Sequence, residues 1–349
     1  MIEVRIEKDL GSFRLDTEFS AGDEVLALLG GSGSGKSLTL RCIAGVETPD
    51  RGRIVVDDVV FFDSEKHINL TPRQRKVGLL FQNYALFPTM TVLQNVMTGV
   101  RTGSRTEKQA AALEAIDRYE LRGLEGRYPH QLSGGQQQRA ALARILVGNP
   151  RILMLDEPFS ALDAHLRDQM EREVLGLLRG FGGTAIMVSH SRDEVFRMAD
   201  RVAVFDNGRI DALGEKHAVF RNPGTYTSAL LTGCKNFSTV SGVVSENGVL
   251  RFHADDWNLD LAVPDISQGQ IAAIRGHHIR PGARGDSNVF EMEIVDVIED
   301  TFEHVLLLRR PGASGNPIHW MIPKGTLEPL PSGKVHVCFP PESLMMLRR

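Results

Sequence analysis

The chain has 349 residues, of which 42% are hydrophobic and 24% charged, so it is long enough for two globular domains and is not a disordered protein. Its 40 Lys and Arg against 44 Asp and Glu give a net charge of −4. No basic footprint dominates the molecule, and we expect no nucleic-acid partner.

Strands and helices alternate through the first two thirds of the chain. Short apolar runs predict strands at 24–29, 77–81, 151–155 and 184–189, and the segment 53–63 is typical of β structure with a turn at Asp57-Asp58. Composition and amphipathic spacing predict helices at 36–44, 107–119, 134–147 and 164–181. Strands at 201–206 and 209–212 flank Asn207-Gly208, a strong signal for a type I′ hairpin. Buried strands separated by helices imply a largely parallel sheet covered on both faces.

The texture of the sequence changes after about Gly233. From residue 237 to the end, segments are short, rich in β-branched residues and broken by Gly and Pro. This pattern predicts a small antiparallel barrel or sandwich. We therefore expect two domains, residues 1–233 and residues 234–349.

The cysteines and the apolar runs indicate the compartment. Cys42, Cys234 and Cys338 form no CxxC pair, which disfavours a zinc site or a disulfide scaffold and is typical of a reducing environment. The apolar runs are shorter than the ~18 residues of a membrane-spanning helix, and the charged start MIEVRIEKD is unlike a signal peptide. We expect a cytoplasmic chain that reaches a membrane only through a partner.

A glycine-rich segment follows the first buried apolar run and precedes a helix. The segment is Gly30-Gly31-Ser32-Gly33-Ser34-Gly35-Lys36-Ser37, which satisfies the pattern G-x-x-x-x-G-K-[ST] in the context that the pattern requires. Its glycines let successive backbone N–H groups surround phosphate oxygens at the positive end of the helix. We expect Lys36 to contact the β- and γ-phosphates and the Ser37 hydroxyl to bind Mg²⁺. An ordinary glycine-rich turn is the less favoured alternative.

Two carboxylates end the apolar run RILML. Asp156 is placed to hold Mg²⁺ through water, and Glu157 is placed to polarise a water for in-line attack on the γ-phosphate. A solvated acidic pair in a loop would be the default for this motif alone. The neighbouring phosphate loop favours the catalytic interpretation.

A second anion-binding device precedes the helix predicted at 134–147. Ser133, Gly134, Gly135 and Gln136 place a hydroxyl and two glycine amides at a helix N-terminus. By itself the segment would be a plain N-cap followed by a helix start.

Together these residues resemble the nucleotide-binding subunit of ABC transporters, over residues 1–233. The phosphate loop resembles the Walker A motif, residues 152–157 resemble Walker B, and the LSGGQ of residues 132–136 resembles the family signature. Gln82 resembles the Q-loop glutamine, and His190 resembles the switch histidine. The segment Ser160-Ala161-Leu162-Asp163 resembles the D-loop.

The resemblance implies a fold. It is an α/β P-loop NTPase of the ABC ATPase type, with a predominantly parallel sheet, an antiparallel β subdomain and a helical subdomain. A small all-β, OB-like C-terminal domain follows.

The resemblance also implies the cofactors, ATP and Mg²⁺, and a set of site residues. Lys36, Gln82, Glu157 and His190 would be catalytic, with Glu157 as the base, His190 holding the γ-phosphate and the attacking water, and Gln82 sensing Mg²⁺. Ser37, Gln82 and Asp156 would bind the metal. The nucleotide would contact the phosphate loop, Gln82, His190, Asp163 and the signature.

The resemblance implies that the signature acts on the nucleotide of a second copy of the chain. ATP would then join two copies head to tail in two composite sites, and hydrolysis would separate them. The family usually stacks an aromatic ring on adenine near the end of the first strand. Leu10 stands at that place here, and Phe13 is the nearest aromatic residue, with a core role as the alternative.

The apolar, aromatic segment 84–92 (YALFPTMTV) is expected to be a partner surface, because polar residues are usual beside such a loop. In the family this region receives a short cytoplasmic helix of the membrane permease. Local packing against the helix predicted at 107–119 is the alternative.

Within the family, the chain most resembles importer ATPases of the molybdate/sulfate branch, on the spacing from Asp63 to Pro72. Its C-terminal part resembles a TOBE-type domain. The chain is expected at the cytoplasmic face of the membrane, with a substrate-binding protein as an indirect partner. Importers of polyamine, ferric ion or sugar are the alternatives, and a non-transport ABC ATPase ranks last because no coiled-coil insertion or second cassette is present. His277, His278, Arg280 and Arg284 could attract an anion, although a solvated loop is the favoured interpretation.

Overall fold

The computed structural model describes residues 1–160, 162–246, 248–264, 269–313, 315–327 and 329–349. These residues form two compact units, Met1–Lys216 and His217–Arg349. The predicted boundary between residues 233 and 234 lies later in the chain. Hydrogen bonds account for the difference: Arg275 donates to the carbonyl oxygens of Phe220 and Thr232, and the Tyr226 N–H donates to the Arg348 carbonyl.

The first unit contains both helices and strands. Its helices are α1 (Lys36–Ala44), α2 (Pro72–Arg75), α3 (Val92–Gly99), α4 (Arg105–Arg118), α5 (Gly134–Leu146), α6 (Ala164–Phe181) and α7 (Arg192–Met198), with a 3₁₀ turn at Pro129–Gln131. Its strands are β1 (Ile2–Asp9), β2 (Arg14–Ala21), β3 (Val25–Gly30), β4 (Arg51–Val56), β5 (Val59–Asp63), β6 (Ile68–Asn69), β7 (Gly78–Leu80), β8 (Leu153–Asp156), β9 (Ala185–Ser189), β10 (Arg201–Asp206) and β11 (Arg209–Glu215).

A six-stranded sheet of order β11-β10-β3-β9-β8-β7 forms the centre of the first unit. All of its strands are parallel except β11, which pairs antiparallel with β10. Every residue of β3, β8 and β9 is buried, as their continuous apolar sequences require. The predicted parallel sheet is confirmed. A second, antiparallel sheet has the order β2-β1-β4-β5-β6.

Both predicted turns take left-handed backbone conformations. Asn207 and Gly208 have φ values of +43° and +81°, which a type I′ hairpin requires. Asp57 and Asp58 have φ values of +46° and +63° and join β4 to β5. The segment 53–63 is therefore two strands and a turn.

The helical part of the first unit has its own apolar core. Helices α3, α4 and α5 pack on one another, and α5 also packs on β7. Thr91, Ser104 and Ser133 each begin one of these helices with a capping box closed by Gln or Glu three residues later. These caps fix where each helix starts.

The second unit is mostly antiparallel β structure. Its strands are β12 (Asn236–Glu246), β13 (Val249–Ala254), β14 (Leu259–Pro264), β15 (Ile271–Ile274), β16 (Arg280–Pro281), β17 (Val289–Glu299), β18 (Glu303–Arg309), β19 (Ile318–Pro323), β20 (Lys334–Cys338) and β21 (Met345–Leu347). They form two five-stranded sheets, β14-β13-β12-β15-β21 and β16-β20-β17-β18-β19. Helices α8 (Lys216–Arg221) and α9 (Tyr226–Leu231) precede them, and 3₁₀ turns lie at Gly276–His278 and Pro341–Ser343. Within the described ranges, no helix is both long enough and apolar enough to cross a membrane.

Candidate functional site

The parallel sheet brings four of the predicted segments to one edge. Strands β3, β9, β8 and β7 are parallel neighbours, so their carboxyl ends lie side by side. The phosphate loop follows β3, and His190 follows β9. Asp156 ends β8, Glu157 comes directly after it, and Gln82 follows β7. Such an edge is where open α/β sheets bind their ligands.

Two glycines of the phosphate loop let neighbouring residues approach its backbone closely. Gly35 has φ +104°, and a Cβ there would lie 2.9 Å from Leu15 and 3.0 Å from the Phe13 ring. A Cβ on Gly30 would lie 2.6 Å from the Phe205 carbonyl oxygen. Gly31, Ser32 and Gly33 are exposed, so their N–H groups are open to a ligand.

Lys36 is buried inside the loop, with 4% of its surface exposed. Its ammonium donates to the carbonyl oxygens of Gly30 (2.9 Å) and Gly31 (2.7 Å) and to the Ser34 hydroxyl (3.2 Å). Burial lowers the pKa of Lys36, and the charges of Glu157 and Asp156 oppose that shift. The loop therefore holds a cation in place before any anion binds.

Ser37 and Asp156 meet across the chain. The Ser37 hydroxyl donates to Asp156 Oδ1 at 2.6 Å, although 119 residues separate them. Burial raises the pKa of Asp156, and the Ser37 hydrogen bond opposes the shift. A hydroxyl oxygen beside one carboxylate suits Mg²⁺, which keeps several water and phosphate ligands of its own. The donor set present therefore fits that metal.

Glu157 and His190 also meet at this edge. His190 Nδ1 lies 3.4 Å from Glu157 Oε2, and their side chains are 62% and 22% exposed. Glu157 has φ +46°, which is rare for a residue other than glycine, and its N–H donates to the Val188 carbonyl. Residues held in such conformations cluster at functional sites.

The turn that carries His190 is fixed by residues that the sequence analysis did not identify. The Ser189 hydroxyl donates to Glu194 at 2.6 Å and accepts the Ser191 N–H at 2.9 Å, and Ser191 caps α7. Burial raises the pKa of Glu194, and the Ser189 hydrogen bond opposes the shift. The S-x-x-E spacing of Ser191 and Glu194 is a capping signature that could have located this helix.

Two further predicted site segments follow β7 and β8. Gln82 is exposed in the turn after β7. In the segment that resembles a D-loop, Ser160 donates to the Glu157 carbonyl, Leu162 is buried, and Asp163 begins α6. Ala161 lies outside the described residues.

The signature segment lies at the start of α5. Ser133 is exposed and accepts the Gln136 N–H, while the Gln136 side chain accepts the Ser133 N–H. Gly134 faces Leu162, because a Cβ there would be 3.2 Å from Leu162 Cδ2, and Gly135 faces Met170. The contacts of this segment are thus a capping box and apolar packing.

The residues of the segment 84–92 differ in how far they are buried. Tyr84 is buried, whereas 46% of Phe87 is exposed. Leu10, in the place where the family has its adenine-stacking ring, is 53% exposed, while Phe13 lies against Gly35 of the phosphate loop.

Among the described residues of the second unit, the four basic side chains that could attract an anion lie beside other side chains or in solvent. Arg280 hydrogen bonds to Asp286 at 3.3 Å, and the rings of His277 and His278 lie 4.3 Å apart. Arg284 is exposed.

Comparison with known proteins identifies the family. A family model described as ABC transporter matches residues 14–160, which include the phosphate loop, Gln82, the signature and Glu157. A sulfate/thiosulfate import ATP-binding protein of Rhodopseudomonas palustris is 41% identical over 302 residues, 83% of this chain and 83% of that protein. The chain belongs to the ABC transporter family of ATP-binding proteins. It is an ATPase that binds ATP.

Other relatives and one solved structure extend the comparison. A molybdenum import ATP-binding protein of Paramagnetospirillum magneticum is 35% identical over 282 residues, 79% of this chain and 77% of that protein. A spermidine/putrescine import ATP-binding protein of Oleidesulfovibrio alaskensis is 42% identical over 229 residues, 65% of this chain and 60% of that protein. The dimeric, post-hydrolysis state of an ATP-binding cassette bound to ADP and Pi is similar with a TM-score of 0.53 and 28% identity, covering 62% of this chain and 99% of that chain.

Proposed function

We propose that the chain is the ATP-hydrolysing subunit of an ABC importer, acting as a homodimer at the cytoplasmic face of a membrane. One observation carries this proposal: Lys36, Ser37, Asp156, Glu157 and His190 meet at one edge of a parallel sheet in a chain whose relatives are import ATP-binding proteins. The permease is its membrane partner, and a substrate-binding protein acts through the permease.

The phosphate loop binds the β- and γ-phosphates. Lys36 turns its ammonium from the carbonyls of Gly30 and Gly31 to phosphate oxygens, which form stronger, charge-assisted hydrogen bonds. Ser37, Asp156 and Gln82 hold Mg²⁺. When bound, that ion neutralises the charge that develops on the phosphates during transfer.

Glu157 is the general base. It accepts a proton from a water that attacks the γ-phosphorus in line with the bond to ADP. His190, 3.4 Å away from its carboxylate, orients that water and the γ-phosphate. Its exposed ring leaves room for both ligands.

The signature completes the site of a second copy. Ser133 and Gly135 lie at the start of a helix whose free N–H groups attract an anion, and nothing cationic is described in contact with them. Asp163 contributes at the same junction. Similarity to a dimeric cassette bound to ADP and Pi supports this arrangement.

The transported substrate is an oxyanion, molybdate or its relatives tungstate and sulfate. One sulfate/thiosulfate relative and one molybdenum relative align over 302 and 282 residues, against 229 for the spermidine/putrescine relative, while a second molybdenum relative aligns over 223. The longer alignments extend past the first 233 residues and so include part of the second unit, which we propose to be a TOBE-type domain. An importer of polyamine, ferric ion or sugar is the alternative.

Turnover in the assembled transporter tests this proposal. The complex is purified with its own permease and supplied with binding protein loaded with molybdate, sulfate, spermidine or ferric ion. Stimulation of ATP hydrolysis by molybdate or sulfate is expected. Stimulation by spermidine or ferric ion alone would refute the oxyanion assignment, and no stimulation by these four cargoes or by a sugar-loaded binding protein would refute the importer assignment.

A further inference from the structure

The turn after Gln82 is held in a costly conformation. Tyr84 and Ala85 have φ values of +59° and +44°, although neither is glycine. Tyr84 is 5% exposed, and its hydroxyl has no hydrogen-bond partner among the described residues. Consecutive strained residues persist only where their surroundings hold them.

Arg144 stabilises the strained turn at Tyr84 and Ala85. Its guanidinium donates to the Ala85 carbonyl at 2.7 Å and to the Tyr84 carbonyl at 3.0 Å. Its Cζ also lies 5.5 Å from the centroid of the half-exposed Phe87 ring. A planar guanidinium can make all three contacts at once, which a lysine ammonium cannot reproduce.

The other end of the same segment is fixed by Asn95. This buried amide accepts the Phe87 N–H and donates to the carbonyl oxygens of Phe87, Met90 and Thr91. Asn95 belongs to α3, whereas Arg144 belongs to α5. The segment is therefore tied to two helices, and Arg144 ties its strained end.

Helix α5 runs without a break from the signature to Arg144. It too holds a polar group without a partner: Gln138 is fully buried, and neither of its amide atoms is hydrogen-bonded within the described part of the chain. Buried polar groups without partners are costly, so a shifted arrangement that pairs them gains free energy. The turn at Tyr84 and helix α5, which Arg144 joins, would therefore both gain free energy from a shift that pairs these polar groups.

We propose that Arg144 is the positioning residue that makes the segment after Gln82 and the signature helix α5 move together. The proposal rests on the proposed function, since a permease that binds at Phe87 is what would displace the segment. Pressure on Phe87 reaches Ser133 through the Arg144 guanidinium and the rigid helix. Arg144 touches neither nucleotide nor metal in this scheme.

Stimulated turnover tests the proposal in the assembled transporter. Arg144→Met and Arg144→Lys are compared with Arg139→Met and Arg139→Lys. Arg139 lies on the same helix, nearer to Ser133, and pairs with Glu120 and Glu173 instead of the loop. The membrane complex that co-purifies with the tagged full-length chain is assayed with binding protein loaded with sulfate or molybdate.

The expected result is a loss of stimulation without a loss of basal activity. Arg144→Met should lower the ratio of stimulated to basal turnover by about fivefold or more, the lower end of allosteric coupling. Basal turnover and the KM for ATP should stay within about twofold of wild type. The ratio of stimulated to basal turnover for Arg144→Lys should lie between those of wild type and Arg144→Met. The Arg139 variants should keep the wild-type ratio. Equal stimulation of wild type and Arg144→Met would overturn the proposal, whereas a wild-type complex that neither sulfate nor molybdate stimulates contradicts the oxyanion assignment of the proposed function instead.

Amide hydrogen exchange on the isolated full-length chain tests the same coupling without a permease. Arg144→Met should increase exchange both in residues 84–87 and in the first turn of α5, where the Gln136 N–H is capped by Ser133. The Arg139 variants should leave residues 84–87 unchanged. An increase confined to residues 84–87 would overturn the proposal, because α5 would then be independent of the segment.

A glycine substitution separates positioning from a general loss of stability. Glycine takes positive φ without cost, so Ala85→Gly should partly restore exchange protection of residues 84–87 in Arg144→Met. Stimulation should stay low in the double variant, because the guanidinium that links the segment to α5 is still missing. A merely structural role for Arg144 predicts that stimulation returns together with the stability of the turn.

Discussion

Two segments of the first unit present helix N–H groups to an anion, and they differ in how complete they are. In the phosphate loop, the Lys36 ammonium is buried and hydrogen-bonded to the loop, and Ser37 is bonded to Asp156. In the signature, Ser133 is exposed, and its surroundings are a capping box and the apolar side chains of Leu162 and Met170. The first segment holds a cation of its own in place. The second has donors alone, which is what a segment needs if another chain brings the phosphate.

Replacing the base should have the largest effect and should leave both segments intact. Glu157→Gln should lower kcat by about 10²- to 10⁴-fold, because an amide cannot accept the proton of the attacking water. ATP binding, measured by equilibrium titration, should be retained, and the variant should elute as an ATP-dependent dimer on a sizing column. Turnover at the wild-type rate would show that Glu157 is not the base.

A bulky substitution in the signature should strongly lower the rate of ATP hydrolysis and leave the affinity for ATP unchanged. Ser133→Arg places bulk and charge where the γ-phosphate of the other copy must enter, so turnover should fall by about 10²-fold or more, as when transition-state donors are lost. The affinity of the monomer for ATP, measured by titration, should stay near wild type. Ser104→Ala, which removes the same kind of cap from α4, is the control for loss of a helix cap alone, which costs about 1 kcal/mol of stability.

Mixing chains shows whether the two segments act across a dimer. A Ser133→Arg chain and a Lys36→Ala chain together contain one intact phosphate loop facing one intact signature. Partial recovery of turnover in mixed dimers is expected. Mixed dimers without any recovery would contradict a composite site, unless one dimer hydrolyses ATP only when both of its sites are intact. Wild-type chain mixed with a Lys36→Ala chain tests that exception, because such a dimer also has one intact site.

Breaking the phosphate loop should weaken binding itself. Lys36→Ala removes charge-assisted contacts to phosphate, so the Kd for ATP should rise about ten- to a hundredfold. Binding of the nucleoside adenosine is the control, since it lacks phosphate and should be unaffected. An unchanged Kd for ATP would show that the buried ammonium keeps its contacts with the loop when nucleotide binds.

The sequence predicted these segments because their determinants are local. The pattern from Gly30 to Ser37 needs only one strand and one helix start, and Asn207-Gly208 encodes its hairpin in two residues. Helix α5 begins where Ser133 and Gln136 form a capping box, again within four residues. The order of parallel strands then placed distant motifs at one edge.

Contacts between distant residues could not be predicted in this way. Arg144 lies about 60 residues from the carbonyls that it binds, and nothing near either partner encodes the pair. Burial of Tyr84 was missed because its neighbours in residues 81–90 are exposed or half-buried and follow neither a helical nor a strand period. The division at Lys216 likewise depends on Arg275, which is far along the chain from the residues that it ties to the second unit.

The smallest expected effect concerns the binding of adenine beside the phosphate loop. The Phe13 ring lies against Gly35, and a shallow depression beside it is bounded by Asn207 and Ile210. If adenine stacks there, Phe13→Leu keeps most of the apolar packing but loses the stack, and the KM for ATP should rise about fivefold at unchanged kcat, since an aromatic pair contributes about 1 kcal/mol. Leu10→Ala is the matched control, because Leu10 is exposed and lies with Phe13 in the turn between β1 and β2. A KM that rises equally for ATP and inorganic tripolyphosphate would assign the loss to a distorted Gly35, whereas a rise for ATP alone marks Phe13 as the ring that holds adenine.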